Sequence, residues 1–200
     1  MSGQNRLLLL APGAGAPSSS GFMQAQRQRL AALGRVEPFD YPYQLAGRKS
    51  PDRLPVLIDA HVTALERASA GHDGPVVLVG KSMGGRVGCH VGVKLGARVA
   101  ALVCLGYPLV GQRGDVREAV LLELERPVLF VQGTRDKLCP LERLRALLPR
   151  LRAPHALYVV PGGDHSLLVG KRELAARVET QTAVDTAVTR AIAAFLDEYA

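Results

Sequence analysis

Cysteine is scarce in this 200-residue chain, and its three copies lack the spacing of metal ligands. Cys89 and Cys104 lie among apolar residues, which is typical of ordinary buried thiols, and Cys139 leaves the count odd. Because oxidising compartments favour disulfides, this usage indicates a reducing compartment. We therefore expect a cytoplasmic protein, and the residue pattern indicates no metal and no organic cofactor.

Long apolar runs are also absent. None approaches the ~20 residues of a membrane-spanning helix, so no membrane interaction is predicted. The start of the chain imitates a secretion signal, with Arg6, four leucines and then small residues at positions 14–16. The apolar core is too short for such a signal, however, and Pro12 interrupts it. We interpret Leu7–Leu10 as a buried strand instead.

Dense blocks of one charge are missing, although the net charge is +7. The arginines are spread along the chain and no basic patch alternates with aromatic residues, so no nucleic-acid partner is predicted. An arginine-rich composition explains the excess of positive charge, and a role of this charge in attracting anionic substrates or partners stays an open alternative. With 48% hydrophobic and 22% charged residues and no repeat or long linker, residues 1–200 are expected to form one globular domain.

A strand, turn and helix pattern surrounds one serine. Val76–Val79 is typical of a strand buried on both faces, and apolar residues recur every four positions from Val87. Between them, GKSMG at residues 80–84 fits the G-x-S-x-G nucleophile elbow, which exposes a serine hydroxyl on a sharp turn. A phosphate-binding loop would need glycine in place of Pro75, so we interpret Ser82 as a nucleophile.

Short apolar segments alternate with helical patterns along the whole chain. The predicted strands are Arg6–Ala11, Val36–Phe39, Val76–Val79, Val99–Leu105, Pro127–Gln132 and Leu157–Val160. This order predicts an α/β fold with a mostly parallel central sheet of about six strands, helices on both faces and no cap domain. In such a sheet the functional loops lie beyond the carboxyl ends of the strands.

Three of these loops each offer one catalytic residue type, namely Ser82, Asp136 and His165. The order serine, aspartate, histidine is that of the α/β-hydrolase fold. His165 is predicted to take the proton of Ser82, and Asp136 to orient and stabilise the imidazole. Asp115 is the main alternative acid, whereas Asp164 is expected to brace its loop. The remaining histidines fall within helices or before strands and are not favoured: His61 (expected to be structural), His72, His90 and His155.

Two backbone amides are predicted to form the oxyanion hole. One belongs to Met83, at the start of the helix behind Ser82. The other belongs to Ala14, or to a neighbour, in the small-residue loop 12–18 after the first strand, although a plain turn is the alternative interpretation.

Three further side chains are candidates for contacts with the substrate. The loop 40–51 is too aromatic and basic to be a mere linker. Its Arg48 and Lys49 are candidates for binding an acidic substrate group, or else form a solvated surface pair. Tyr107, after the fourth strand, is a candidate for lining the cavity above Ser82.

Several segments together resemble a known family. The small-residue loop after the first strand, DYPY with GRK in the loop 40–51, GKSMGGR at 80–86, QGTRD at 132–136 and GGDHS at 162–166 are similar to the small cap-less α/β-hydrolases of the dienelactone-hydrolase-like group. The resemblance is closer to the testis-expressed hydrolase-like family, whose relatives include a subunit of a histone acetyltransferase complex. It implies Ser82, Asp136 and His165 as a triad. Two departures are Pro12, where the family usually has histidine, and Ser82, where dienelactone hydrolases proper use cysteine.

These features favour a serine esterase that acts on a small ester or thioester through an acyl-enzyme, as a monomer or homodimer. A different hypothesis is a binding or scaffold protein of the hydrolase fold with a vestigial triad, as the chromatin-complex relatives suggest. Acyl transfer to an alcohol or amine uses the same residues, and the sequence does not separate it from hydrolysis.

Overall fold

A single six-stranded sheet forms the centre of the computed structural model, which describes residues 5–111 and 114–200. Its strands are ordered β2-β1-β3-β4-β5-β6, and each neighbouring pair is parallel. They are β1 (Leu7–Ala11), β2 (Arg35–Pro38), β3 (Val76–Lys81), β4 (Ala101–Leu105), β5 (Val128–Gly133) and β6 (His155–Val160). The predicted α/β fold class is therefore confirmed.

Helices cover both faces of the sheet because its central strands are apolar on both sides. The helices are α1 (Gly21–Leu30), α2 (Pro42–Leu45), α3 (Leu54–Ser69), α4 (Met83–Leu95), α5 (Ala119–Glu123), α6 (Leu141–Leu147), α7 (Lys171–Ala176) and α8 (Gln181–Tyr199). One face packs against α1 and α8, and the other against α3, α4, α5 and α6. Alternate residues of β1 contribute to the two sides: Leu8 and Leu10 pack on the side of α1 and α8, and Leu9 packs on the opposite side. Within the described ranges, no helix has both the length and the apolar character needed to cross a membrane.

The predicted strand ends shift by one or two residues, and two segments differ in kind. The helix expected over 115–125 is confined to Ala119–Glu123, because Val116 pairs with Val110 in an antiparallel bridge. The loop expected over 40–51 contains the helical turn α2, at whose start the Gln44 side chain accepts a hydrogen bond from the Tyr41 amide at 3.1 Å. The single domain over residues 1–200 stays a prediction.

The turn between β3 and α4 packs too closely for side chains at its two glycines. A Cβ on Gly80 would lie 2.2 Å from the backbone nitrogen of Gly85, and one on Gly84 would lie 2.6 Å from the carbonyl oxygens of Ala11 and Pro12. The start of α4 is therefore pressed against both its own strand and the end of β1.

We expect Gly80→Ala to lower the free energy of unfolding by roughly 3 kcal/mol, because the methyl group would meet backbone that cannot yield. Gly21→Ala is the matched control, since a Cβ at Gly21 meets no atom within 4 Å at the start of α1. That variant should be neutral, or more stable by up to about 1 kcal/mol. Urea unfolding followed by circular dichroism measures both, and equal stabilities would contradict the packing argument.

His61 lies in the core on α3, as a structural histidine would, and is 1% exposed. Its Nδ1 lies 3.1 Å from the Tyr41 hydroxyl, and its Nε2 has no hydrogen-bond partner among the described residues. Burial lowers the pKa of His61 to about 3. The imidazole is therefore neutral in the folded protein at pH values where the unfolded chain already takes up a proton.

This difference makes stability sensitive to acid. As the pH falls from about 6.5, the usual histidine pKa, towards 3, proton binding to the unfolded chain should remove about 1.4 kcal/mol of stability per pH unit. The free energy of unfolding, measured between pH 4 and 7, should depend less steeply on pH in His61→Leu than in the wild type. The difference in slope should correspond to about one bound proton. An unchanged slope in His61→Leu would refute the assignment.

Candidate active site

The structure brings Ser82, Asp136 and His165 together at the carboxyl edge of the sheet. The Oγ of Ser82 lies 2.8 Å from Nε2 of His165, and Nδ1 of the same ring lies 2.8 Å from Oδ2 of Asp136. Ser82 follows β3 directly, Asp136 lies in the turn after β5, and His165 lies in the loop after β6. The three side chains form one continuous hydrogen-bonded line.

Ser82 adopts a backbone conformation that side chains seldom take, with φ 50° and ψ −114°. Such a conformation costs about 1–3 kcal/mol and persists only where the surroundings impose it. The Ser82 amide donates to the Leu105 carbonyl at 3.0 Å, and the Ser82 carbonyl accepts from the backbone amide of Arg86 at 3.1 Å. The neighbouring strand and the first turn of α4 thus hold the serine in place.

Three hydrogen-bond donors surround the Asp136 carboxylate. Oδ1 accepts from the Leu138 amide at 2.8 Å, and Oδ2 accepts from the side chain of Gln132 at 2.5 Å and lies next to His165. Burial alone would raise the pKa of Asp136, but the hydrogen bond and charge of His165, with the other donors, lower it overall. The carboxylate is therefore ionised and fixed beside the imidazole.

Gln132 was not singled out from the sequence as a site residue. Its side-chain oxygen accepts from the Tyr107 amide at 3.1 Å while its nitrogen donates to Asp136. It is fully buried near the end of β5. A buried amide in an otherwise apolar strand is the pattern that could have revealed it, because such a group needs hydrogen-bond partners.

Of the two amides predicted for the oxyanion hole, that of Met83 directly follows Ser82 in the chain. Met83 is the first residue of α4, so its amide has no partner within the helix. In the part of the chain that the structure describes, the Ala14 amide donates no hydrogen bond. Ala14 also lines a cavity of about 270 Å³ together with Ser82, His165 and the ring of Phe22. Neither amide thus donates a hydrogen bond within the described residues, and their role as an oxyanion hole stays a prediction.

The segment 40–44 braces the loop that carries Ala14. Tyr43 donates its hydroxyl hydrogen to the Ala14 carbonyl at 2.9 Å, and Gln44 donates to the carbonyls of Gly13 and Ala16 at 3.1 and 3.0 Å. Asp40 accepts from the amide and hydroxyl of Ser18 at 2.6 and 2.9 Å. The sequence marked this segment as too aromatic for a linker, but its contacts are with the oxyanion loop.

The three candidates for substrate contacts do not line the cavity. Arg48 pairs with Asp52 at 2.7 Å, and Lys49 is exposed on the surface. Tyr107 is fully buried, and its hydroxyl donates to the Arg117 carbonyl at 2.9 Å. These three side chains therefore do not contact the cavity, because Arg48 and Lys49 lie on the surface and Tyr107 is packed in the core.

The two alternative carboxylates also have other partners. Asp164 accepts from the amides of Ser166 and Leu168 at 2.7 and 3.0 Å, which braces the histidine loop in the predicted manner. Asp115 pairs with Arg117 at 3.0 Å. Across residues 5–111 and 114–200, no group of three or more histidine, cysteine or acidic side chains is arranged to hold a metal ion.

A parallel sheet with a strained serine after its third strand, and an acid and a histidine on later loops, defines the α/β-hydrolase class. Residues 4–197 match the family described as "Alpha/beta hydrolase domain". The chain belongs to this family, as its resemblance to cap-less hydrolases predicted.

Two curated proteins are similar to parts of the chain. Lipase LipV from Mycobacterium tuberculosis is 40% identical over 91 residues, which cover 45% of this chain and 35% of the lipase. An uncharacterised protein from Bacillus subtilis, YqkD, is 31% identical over 67 residues, or 34% of this chain and 22% of that protein. The aligned segment thus spans about a third or less of the length of each relative.

Solved structures share the fold over nearly the whole chain. Dienelactone hydrolase from Anabaena variabilis superimposes with a TM-score of 0.74 at 18% identity, covering 98% of this chain and 88% of that one. Est1E from Butyrivibrio proteoclasticus, with ferulic acid bound, gives a TM-score of 0.71 at 16% identity, with coverage of 98% and 90%. At such identities the likeness concerns the fold alone.

The brace on the oxyanion loop predicts a selective effect of Tyr43→Phe. Loss of one hydrogen bond to the Ala14 carbonyl, worth about 0.5–1.5 kcal/mol, should lower kcat for p-nitrophenyl acetate about three- to tenfold, with little change in KM. Tyr158→Phe is the matched control, because Tyr158 is half-buried on β6 and lies outside the cavity that Ser82 lines. Equal kcat values in the two variants would exclude the brace from the mechanism.

Proposed function

We propose that this protein is a serine hydrolase of small esters or thioesters, with Ser82 as the nucleophile. The observation that carries the proposal is the hydrogen bond of 2.8 Å between Ser82 Oγ and His165 Nε2, continued to Asp136 at 2.8 Å. A serine hydroxyl becomes an effective nucleophile when a base within this distance can take its proton.

In the first half of the reaction, Ser82 Oγ attacks the acyl carbon while His165 Nε2 takes the hydroxyl proton. The tetrahedral intermediate collapses as the bond to the leaving oxygen or sulfur breaks, and His165 returns the proton to that atom. The ionised Asp136 stabilises the imidazolium and keeps Nδ1–H directed towards itself. The product of this half is an acyl-enzyme on Ser82.

In the second half, water attacks the acyl carbon and gives its proton to His165. The bond to Ser82 Oγ then breaks, the carboxylic acid leaves and the serine recovers its proton from the imidazole. The amides of Met83 and Ala14 would stabilise the negative oxygen in both halves. Losing one such donor typically costs about 2.7–4 kcal/mol of barrier.

The size of the cavity supports a small substrate. Its volume of about 270 Å³ lies just below the range of about 300–1,000 Å³ that is usual for ligand sites. Its walls include the small residues 13–16, Phe22 and Met23 of α1, Lys81 and His165. Short acyl groups therefore fit this site better than long ones, and the name of the M. tuberculosis relative, a lipase, agrees with ester chemistry.

Ser82→Ala tests the nucleophile. We expect its hydrolysis of p-nitrophenyl acetate and butyrate to fall by at least ~10³-fold, since removal of a triad serine leaves only the oxyanion hole and binding. Ser50→Ala, at an exposed loop position, is the matched control and should keep the wild-type rate. A fluorophosphonate probe should label the wild type and not Ser82→Ala, as read by intact mass.

The same assay separates the other candidate activities. A binding or scaffold protein with a vestigial triad would neither turn over the esters nor react with the probe, and equal rates in wild type and Ser82→Ala would remove Ser82 from the mechanism. An acyltransferase would form a new ester when an alcohol is added, at the expense of free acid. Oligomeric state, as monomer or homodimer, stays a prediction.

A further inference from the structure

Lys81 precedes the nucleophile and is buried, although lysine is seldom found in the interior. It is the last residue of β3 and is 7% exposed. Its ammonium group donates to the backbone carbonyl of His165 at 2.6 Å and lies 5.9 Å from the centre of the Phe22 ring. The contact therefore joins the residue next to the nucleophile directly to the residue that carries the base.

No carboxylate forms an ion pair with this ammonium group among the described residues. Burying a cation without a paired anion is unfavourable unless strong hydrogen bonds replace the lost water. Its side-chain hydrogen bond in the structure goes to the His165 carbonyl, and such a charge-assisted bond is about twice as strong as a neutral one. The unfavourable burial of this charge indicates that the hydrogen bond to the His165 carbonyl has a role at the site.

The surroundings leave room for this contact. Gly106, at the end of β4, has a φ of +66°, and a Cβ there would lie 2.6 Å from the His165 carbonyl oxygen and 3.2 Å from the Lys81 nitrogen. The glycine thus opens the space in which the two groups meet. This bond also spans the sheet, because β4 and β5 separate the strands that precede Ser82 and His165.

We propose that Lys81 is a positioning residue that fixes the backbone of His165, and through it the distance between the imidazole and Ser82 Oγ. The inference rests on the proposed hydrolase function. Position matters because a displacement of about 1 Å between reacting groups can lower the rate about 100-fold. Lys81 acts through His165 and forms no bond to the substrate in this role.

The charge of Lys81 gives the contact a pH dependence. Burial lowers its pKa to about 8, while the charges of Asp136 and Asp164 favour the ammonium form. His165 and the uncharged ring of Phe22 are the other groups that face it. Below pH 8 the ammonium form predominates and the contact is strong; as the pH rises through about 8, the weaker amine replaces it. Activity should therefore decline on the alkaline side.

The test compares Lys81→Met, Lys81→Arg and the wild type, with Lys94→Met as a control at an exposed lysine paired with Asp59. Circular dichroism and thermal melting establish that each variant is folded. For p-nitrophenyl acetate, Lys81→Met should lose about 10- to 100-fold in kcat with KM within about twofold, and its alkaline decline near pH 8 should disappear. Lys94→Met should match the wild type.

If Lys81→Met does not fold, Lys81→Arg still tests the proposal. Arginine stays charged, so this variant should shift the alkaline decline to a pH above the measured range while retaining part of kcat. An unchanged alkaline decline in either variant, or an unchanged kcat in folded Lys81→Met, would overturn the proposal. So would a rise of KM for the monoanionic p-nitrophenyl succinate alone, since Lys81 would then bind an anionic substrate group.

A readout that needs no turnover separates this proposal from the proposed function. In protein labelled with ¹⁵N-histidine, the imidazole resonances of His165 should shift or broaden in Lys81→Met and stay unchanged in Lys94→Met. If these spectra change but the wild type neither hydrolyses esters nor reacts with a fluorophosphonate, the hydrolase function fails and the positioning role stands. Unchanged His165 resonances in folded Lys81→Met would refute the positioning role itself.

Discussion

The hydrogen bond between Ser82 and His165 joins two loops that are 83 residues apart in the chain, and the proposed chemistry depends on it. Neither loop could set its length alone. It results from the parallel packing of four adjacent strands, which places both loops at one edge of the sheet, and from contacts that fix each loop locally. The backbone strain at Ser82 is tolerated because the strand β4 and the helix α4 hold that residue from both sides.

Much of this architecture was predictable because it follows from local patterns. The apolar runs indicated each of the six strands, and the glycine spacing around Ser82 indicated the turn. The order of Ser82, Asp136 and His165 along the chain was enough to expect them at one edge of a parallel sheet, where the structure places them. The short helix α2 was missed because the hydrogen bond at its start, from the Tyr41 amide to the Gln44 side chain, is made without the serine or threonine that usually marks a capping box.

What the sequence left undetermined are contacts made across the fold. Arg48, Lys49 and Tyr107 were reasonable candidates by residue type, but an ion pair with Asp52 and burial in the core occupy two of them. Conversely, Gln132 and Lys81 look unremarkable in the sequence, and their importance rests on which carboxylate or carbonyl they reach in space. Side-chain direction at long sequence separation depends on packing, which periodicity does not encode.

The two amides proposed for the oxyanion hole are supported in different ways. Met83 belongs to a helix packed against the sheet, whereas Ala14 sits on a loop secured by Tyr43 and Gln44 from the neighbouring segment. One half of the proposed oxyanion hole is thus part of a packed helix, and the other depends on side chains that lie outside the cavity. If the proposed function holds, substitutions in 40–44 would retune catalytic efficiency while Ser82, His165 and Asp136 stay unchanged.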